Sequence, residues 1–204
     1  MAIPQKLIYE IAEAEKMISS DGELPAAKRK HLLQLIEEQS VAEHANAGYL
    51  RRARLALICA SAVVEYAQSF PEVFNAAKSI LASGIAALSG KYDLVRLETE
   101  NEAFHTEVVD LLEHGEISFV PVYAGMTCFS ALNTVLYDTN FDVVGENEKS
   151  TPPDDWDAGY YASLVKSGSA VWEAKGGSDS RRRYWKWYLE YALPQAWEVL
   201  APLA

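Results

Sequence analysis

Glu102 and His105 stand three residues apart on a stretch of helical periodicity, the one pair in the chain whose types and spacing suit a metal. On a helix that spacing puts carboxylate and imidazole on one face, as in carboxylate di-iron bundles, but such a site needs a second pair. His31, His44 and His114 have no glutamate three positions before them. The pair therefore reads as surface chemistry, and no metal is expected. The sequence holds no H-E-x-x-H, no paired C-x-x-C, no P-loop and no G-x-S-x-G. Asp21-Gly22-Glu23 lacks the rest of a calcium loop, and Ser167-Gly168-Ser169 reads as a turn. No catalytic residue and no cofactor is expected.

What the polar residues do offer is concentrated charge. The formal charge is −11, from 29 acidic and 18 basic residues. Residues 93–116 hold eight acids against Arg96 alone, and residues 138–157 hold seven acids against Lys149. A negative face follows, built from Glu98, Glu100, Glu102, Glu107, Asp110 and Glu113 beside Asp138, Asp142, Glu146, Glu148, Asp154 and Asp155. Such a face would steer a basic partner, and Asp138, Asp142, Glu146, Glu148, Asp154, Asp155, Glu98 and Glu102 are the expected contact residues. The alternative is a solvated helix face and a polar loop. Arg181, Arg182 and Arg183 open the last helix, where the dipole disfavours cations. Pairing with carboxylates of the acidic helix or loop is the expected compensation; contact with a partner carboxylate is the alternative.

All five tryptophans lie between Trp156 and Trp197, with five of the eleven tyrosines. A ring of this kind buries about 150–250 Å². Six large rings between Tyr184 and Trp197 cover more of a helix than one packing face needs, so most are expected in the core and one or two at the surface.

The elements that must carry these residues are helices. Ile3, Leu7, Ile11, Ala14 and Ile18 form one stripe, ended at Asp21-Gly22, and a second helix follows Pro25. A third is expected from about Val41 to Phe70, its middle apolar on every side. A fourth, Glu72 to Leu88, carries small residues that allow close approach. A fifth runs from Asp93 and stops at Gly115, and a sixth, uncharged from Ile117 to Tyr137, should be central. Pro121 allows a short extended start there. Thr139 to Asp155 reads as a long acidic loop within one domain, because too few residues follow it for a second core. Asp154 with Asp157 resembles a capping arrangement for the seventh helix, and Pro194 should kink or break the last. The sum is an all-α, single-domain bundle of about seven to eight helices over residues 1–204.

Composition narrows the partners. The acidic balance argues against nucleic acid and against an anionic membrane. The N-terminus shows no secretory pattern, and two cysteines in apolar stretches suit a reducing compartment, so a cytoplasmic location is expected.

The succession P-P-D-D-W-D-A-G-Y-Y-A-S (152–163), S-G-S-A-V-W (167–172) and R-R-R-Y-W-K-W-Y-L-E-Y-A-L-P-Q-A-W (181–197) resembles an all-helical immunity-protein family, the one numbered five among those encoded beside bacterial polymorphic toxins. The resemblance covers about the last quarter of the chain. It implies a non-enzymatic protein that binds and neutralises a cognate toxin domain, many such toxins being nucleases with basic clefts. A helical enzyme and a self-associating helical scaffold or regulatory subunit are the alternatives.

Overall fold

The computed structural model describes residues 2–41, 43, 46–137, 157–173 and 177–198. Helix α1 (Gln5–Lys16) buries Leu7 and Ala14 and leads to a loop turned at Gly22. Helix α2 (Ala26–Ser40) follows Pro25, whose fixed φ and missing N–H suit a helix start. Helices α3 (Ala47–Ser61), α4 (Pro71–Leu88), α5 (Leu94–Asp110) and α6 (Phe119–Tyr137) come next, then α7 (Ala158–Ser167), α8 (Ser178–Trp187) and α9 (Leu193–Trp197). No strand occurs among the described residues. The fold is all-α, and one continuous core runs from Leu7 to Trp197.

Helix α6 is the axis. Helices α3, α4, α5 and α7 all pack on it, and its uncharged sequence is the reason it can be enclosed. The Leu94–Tyr137 stretch that contains it is also long and apolar enough to cross a bilayer by length and composition alone, yet 61% of its most apolar window is buried in the protein. Small residues let the helices close on it. A Cβ at Gly84 of α4 would come within 2.6 Å of Leu132 Cδ1 on α6.

Several boundaries differ from the sequence reading. The third helix does not run from Val41 to Phe70. It starts at Ala47, ends at Ser61 and is followed by a separate 3-10 turn, Val64–Ala67. Its N-terminal half also carries Arg51, Arg52 and Arg54, all buried. Arg51 donates to both carboxylate oxygens of Glu43 at 2.7 Å and to Ser40 Oγ at 2.8 Å, and its guanidinium lies 3.6 Å from the Trp197 ring centroid. Arg52 pairs with Glu37. Arg51 Nε and Arg54 Nε also donate to the carbonyls of Trp197 and Gln195, at the C-terminal end of α9, where helix carbonyls lack partners and the dipole favours a cation.

The extended start before Pro121 is absent. Phe119 already begins α6, and Pro121 lies within its first turn, where no intrahelical N–H is required. Pro194 does not break the last helix either. Residues Tyr188–Ala192 form a π turn in which Leu193 N–H reaches back to the Tyr188 carbonyl, and α9 continues through the proline. Widening the turn is how the chain absorbs a residue that cannot donate. Helix α7 is capped by Asp157, which accepts from Tyr160 N–H at 2.8 Å, and closed by Gly168 at φ +79°. The other half of the expected cap, Asp154, lies outside the described residues.

Candidate partner-binding site

Helix α5 is a two-faced element by its spacing. Leu97, Asn101, Phe104 and Val108 recur at intervals of four, three and four residues and are buried against the bundle. Asn101 Nδ2 donates to Asn133 Oδ1 on α6 at 2.8 Å, fixing the register of the pair. Asp93 caps the helix by accepting from Arg96 N–H at 2.8 Å. The acidic residues of the helix fall off that buried stripe, Glu100 alone among them half-buried.

Glu98, Glu102, Glu107, Asp110 and Glu113 are all exposed. Glu98 accepts from the Tyr137 hydroxyl at 2.7 Å, and that bond pushes the phenol up to about 12. Tyr137 is the last residue of α6, so Glu98 sits beside the C-terminal end of that helix. Glu102, Glu107, Asp110 and Glu113 make no ion pair among the described residues, which leaves their field directed outward. Glu100 differs. It accepts from Tyr92 at 2.9 and 2.7 Å and from Arg96 Nε at 2.8 Å, and those bonds hold it below the usual carboxylate range. Asp138, Asp142, Glu146, Glu148, Asp154 and Asp155, the loop half of the expected site, lie outside the described residues.

His105 is not paired with Glu102. Its ring stacks on Phe129 of α6, centroids 4.1 Å apart and planes 15° apart. Among the described residues no three His, Cys, Asp or Glu side chains converge.

One feature of the face was missed from sequence. Apolar side chains on the same helix are also exposed: Val95 is 70% exposed, with Leu94 and Val109 open to solvent, and beyond the helix Leu112, Ile117 and Phe119 are exposed too. Their signal was available, since Val95 and Val109 fall off the 97-101-104-108 stripe. Acids interleaved with exposed apolar groups make a surface suited to burial against another protein.

The arginine expectation needs correction for the acidic helix, while its loop half lies outside the described residues. Arg181 is buried and Arg182 half-buried, but neither pairs with the acidic helix. Arg181 approaches Glu23 Oε2 at 3.6 Å and donates to the carbonyls of Asp21 at 2.9 Å and Ser169 at 2.7 Å. Arg182 donates to the Ser19 and Ser20 carbonyls at 2.8 and 3.1 Å. Both tie the last helix to the loop after α1. The described carboxylates of α5 are thus left unneutralised by them.

Comparison with known families decides what kind of protein carries this surface. The family model for immunity protein Imm5 matches residues 11–195. The chain belongs to the Imm5 immunity-protein family. The likeness seen in the last quarter of the sequence thus extends from within α1 to within α9 of this Imm5 member. No curated protein matches it. The C-terminal block that carries the resemblance is mostly core in this Imm5 fold: Trp185, Trp197, Tyr160, Tyr161, Tyr184 and Tyr188 are buried, while Trp172 and Tyr191 are exposed. Trp156 lies outside the described residues.

Proposed function

We propose that this Imm5 member is a stoichiometric, non-enzymatic inhibitor that binds a cognate toxin domain in the cytoplasm of the producing bacterium, using the acidic face of α5 together with the 138–157 loop. The observation that carries the reading is the outward face of α5, where unpaired carboxylates alternate with exposed apolar side chains. Family membership supports the class of partner, and the absence of a recognisable catalytic motif in the sequence agrees with inhibition by binding. The sign of the face favours a toxin with a basic cleft, such as a nuclease, since complementary potentials raise association rates.

Co-expression with the product of the immediately upstream gene tests the reading. Growth rescue and a one-to-one complex on purification are the expected results. A neighbour that is not toxic and does not co-purify would remove the inhibitor reading and bring the enzyme alternative forward. Reversing Glu102, Glu107 and Asp110 to lysine should slow association at least about tenfold at low salt with the fold intact. Unchanged association would move the interface off α5.

A further inference from the structure

Many cations among the described residues have carboxylate partners, but two that have none stand close together. Lys166, near the C-terminal end of α7, reaches the Tyr66 hydroxyl at 3.3 Å and lies 4.5 Å from that ring's centroid. Arg183, on α8, donates to Ser180 Oγ at 2.9 Å. Neither forms an ion pair with a carboxylate of the described residues, Asp179 on the same helix included. Both line one cavity of about 480 Å³, together with Ala62, Tyr66, Ser180, Tyr184 and Trp187.

The cavity is of opposite character to the α5 face. Its polar groups are cations and hydroxyls that favour an anion, and its remaining walls are aromatic. Tyr66 is 44% exposed, and Trp187 is half-buried with Tyr191 stacked beside it at 6.3 Å. A volume of this size accepts a side chain or a small organic molecule. The overall charge of −11 repels polyanions, which works against a nucleic acid or a polyphosphate, whereas one negative charge is readily matched by two local cations.

We propose that this cavity binds a single carboxylate carried on an apolar stem, the acid meeting Lys166 and Arg183 and the stem lying against Tyr66 and Trp187. A free aryl or alkyl carboxylate offers that chemistry, and so does an aspartate or glutamate side chain of a bound protein. The second source rests on the inhibitor reading.

Calorimetric titration of the full chain with phenylacetate, against uncharged phenylacetamide, tests the chemistry. Saturable phenylacetate binding with a dissociation constant of about 1 mM or tighter is expected, with phenylacetamide much weaker. The Lys166→Gln/Arg183→Gln protein should keep its melting temperature and bind phenylacetate at least about tenfold more weakly. No saturable heat with phenylacetate, equal binding of the two compounds, or unaltered binding by the double variant would overturn the proposal. Co-expression of Lys166→Glu/Arg183→Glu with the upstream gene product then separates the sources. Loss of the complex assigns the carboxylate to the partner; a retained complex, with phenylacetate binding established, assigns it to a free acid. Should the wild-type chain form no complex, the inhibitor reading falls, while the titration still decides the cavity.

Discussion

Trp185 shows how one residue can hold several elements. It is fully buried, meets Tyr184 and Tyr188 edge-on at 5.0 and 5.4 Å, and has the Arg29 guanidinium 5.0 Å from its ring centroid. Trp185→Ala should therefore cost about 3–5 kcal/mol, read from the urea midpoint. Tyr191→Ala, at a position 56% exposed, should stay within about 0.5–1 kcal/mol in the same assay. The two cysteines make a second case. Burial pushes the thiols of Cys59 and Cys128 up to about 12, so both are protonated at pH 8. An aromatic disulfide reagent should label neither in the native protein and both in urea. Prompt labelling of native protein at pH 8 would show that the core opens far more often than its packing implies.

At the scale of elements, contacts between the α1–α2 loop and α8 matter as much as any helix. Gly22 has φ +85°, and a Cβ there would fall on the Ser178 carbonyl oxygen. Gly22→Ala should then destabilise the protein by about 1–3 kcal/mol and loosen the N-terminal end of α8, visible as faster amide exchange in that turn. The α5 helix carries a pH signature. Glu100 is held below its usual range by the Tyr92 hydroxyl first and then by Arg96. A carboxyl with a depressed folded value adds stability that is present above its unfolded value, about 4.3, and is lost as pH falls through the folded one. The urea midpoint should drop as pH falls below about 4.3, and Tyr92→Phe should make that drop shallower. An unchanged slope in the variant would mean the hydrogen bond does not persist in solution.

Over the whole molecule, charge is segregated. Residues 158–204 carry six basic and four acidic side chains, against the acidic excess of 93–116 and 138–157. If the toxin docks on the acidic side, association should slow by about tenfold or more between low and high salt, while dissociation changes little. Salt-independent association would place the interface on an uncharged surface. The sequence by itself determined much of this protein. Helical periodicity is local, so the all-α class, the central place of α6 and the two-faced character of α5 could be read from spacing within a few turns. The C-terminal aromatic block likewise carried the family resemblance. What only the tertiary structure decided are meetings between distant residues. Arg51 and Arg54 capping the end of α9 across more than 140 positions left no trace in spacing. The same holds for the division of labour among Arg181, Arg182 and Arg183, identical in sequence but buried, half-buried and exposed in turn. Helix formation depends on neighbours along the chain, whereas the partner of a charge depends on which helices close upon one another.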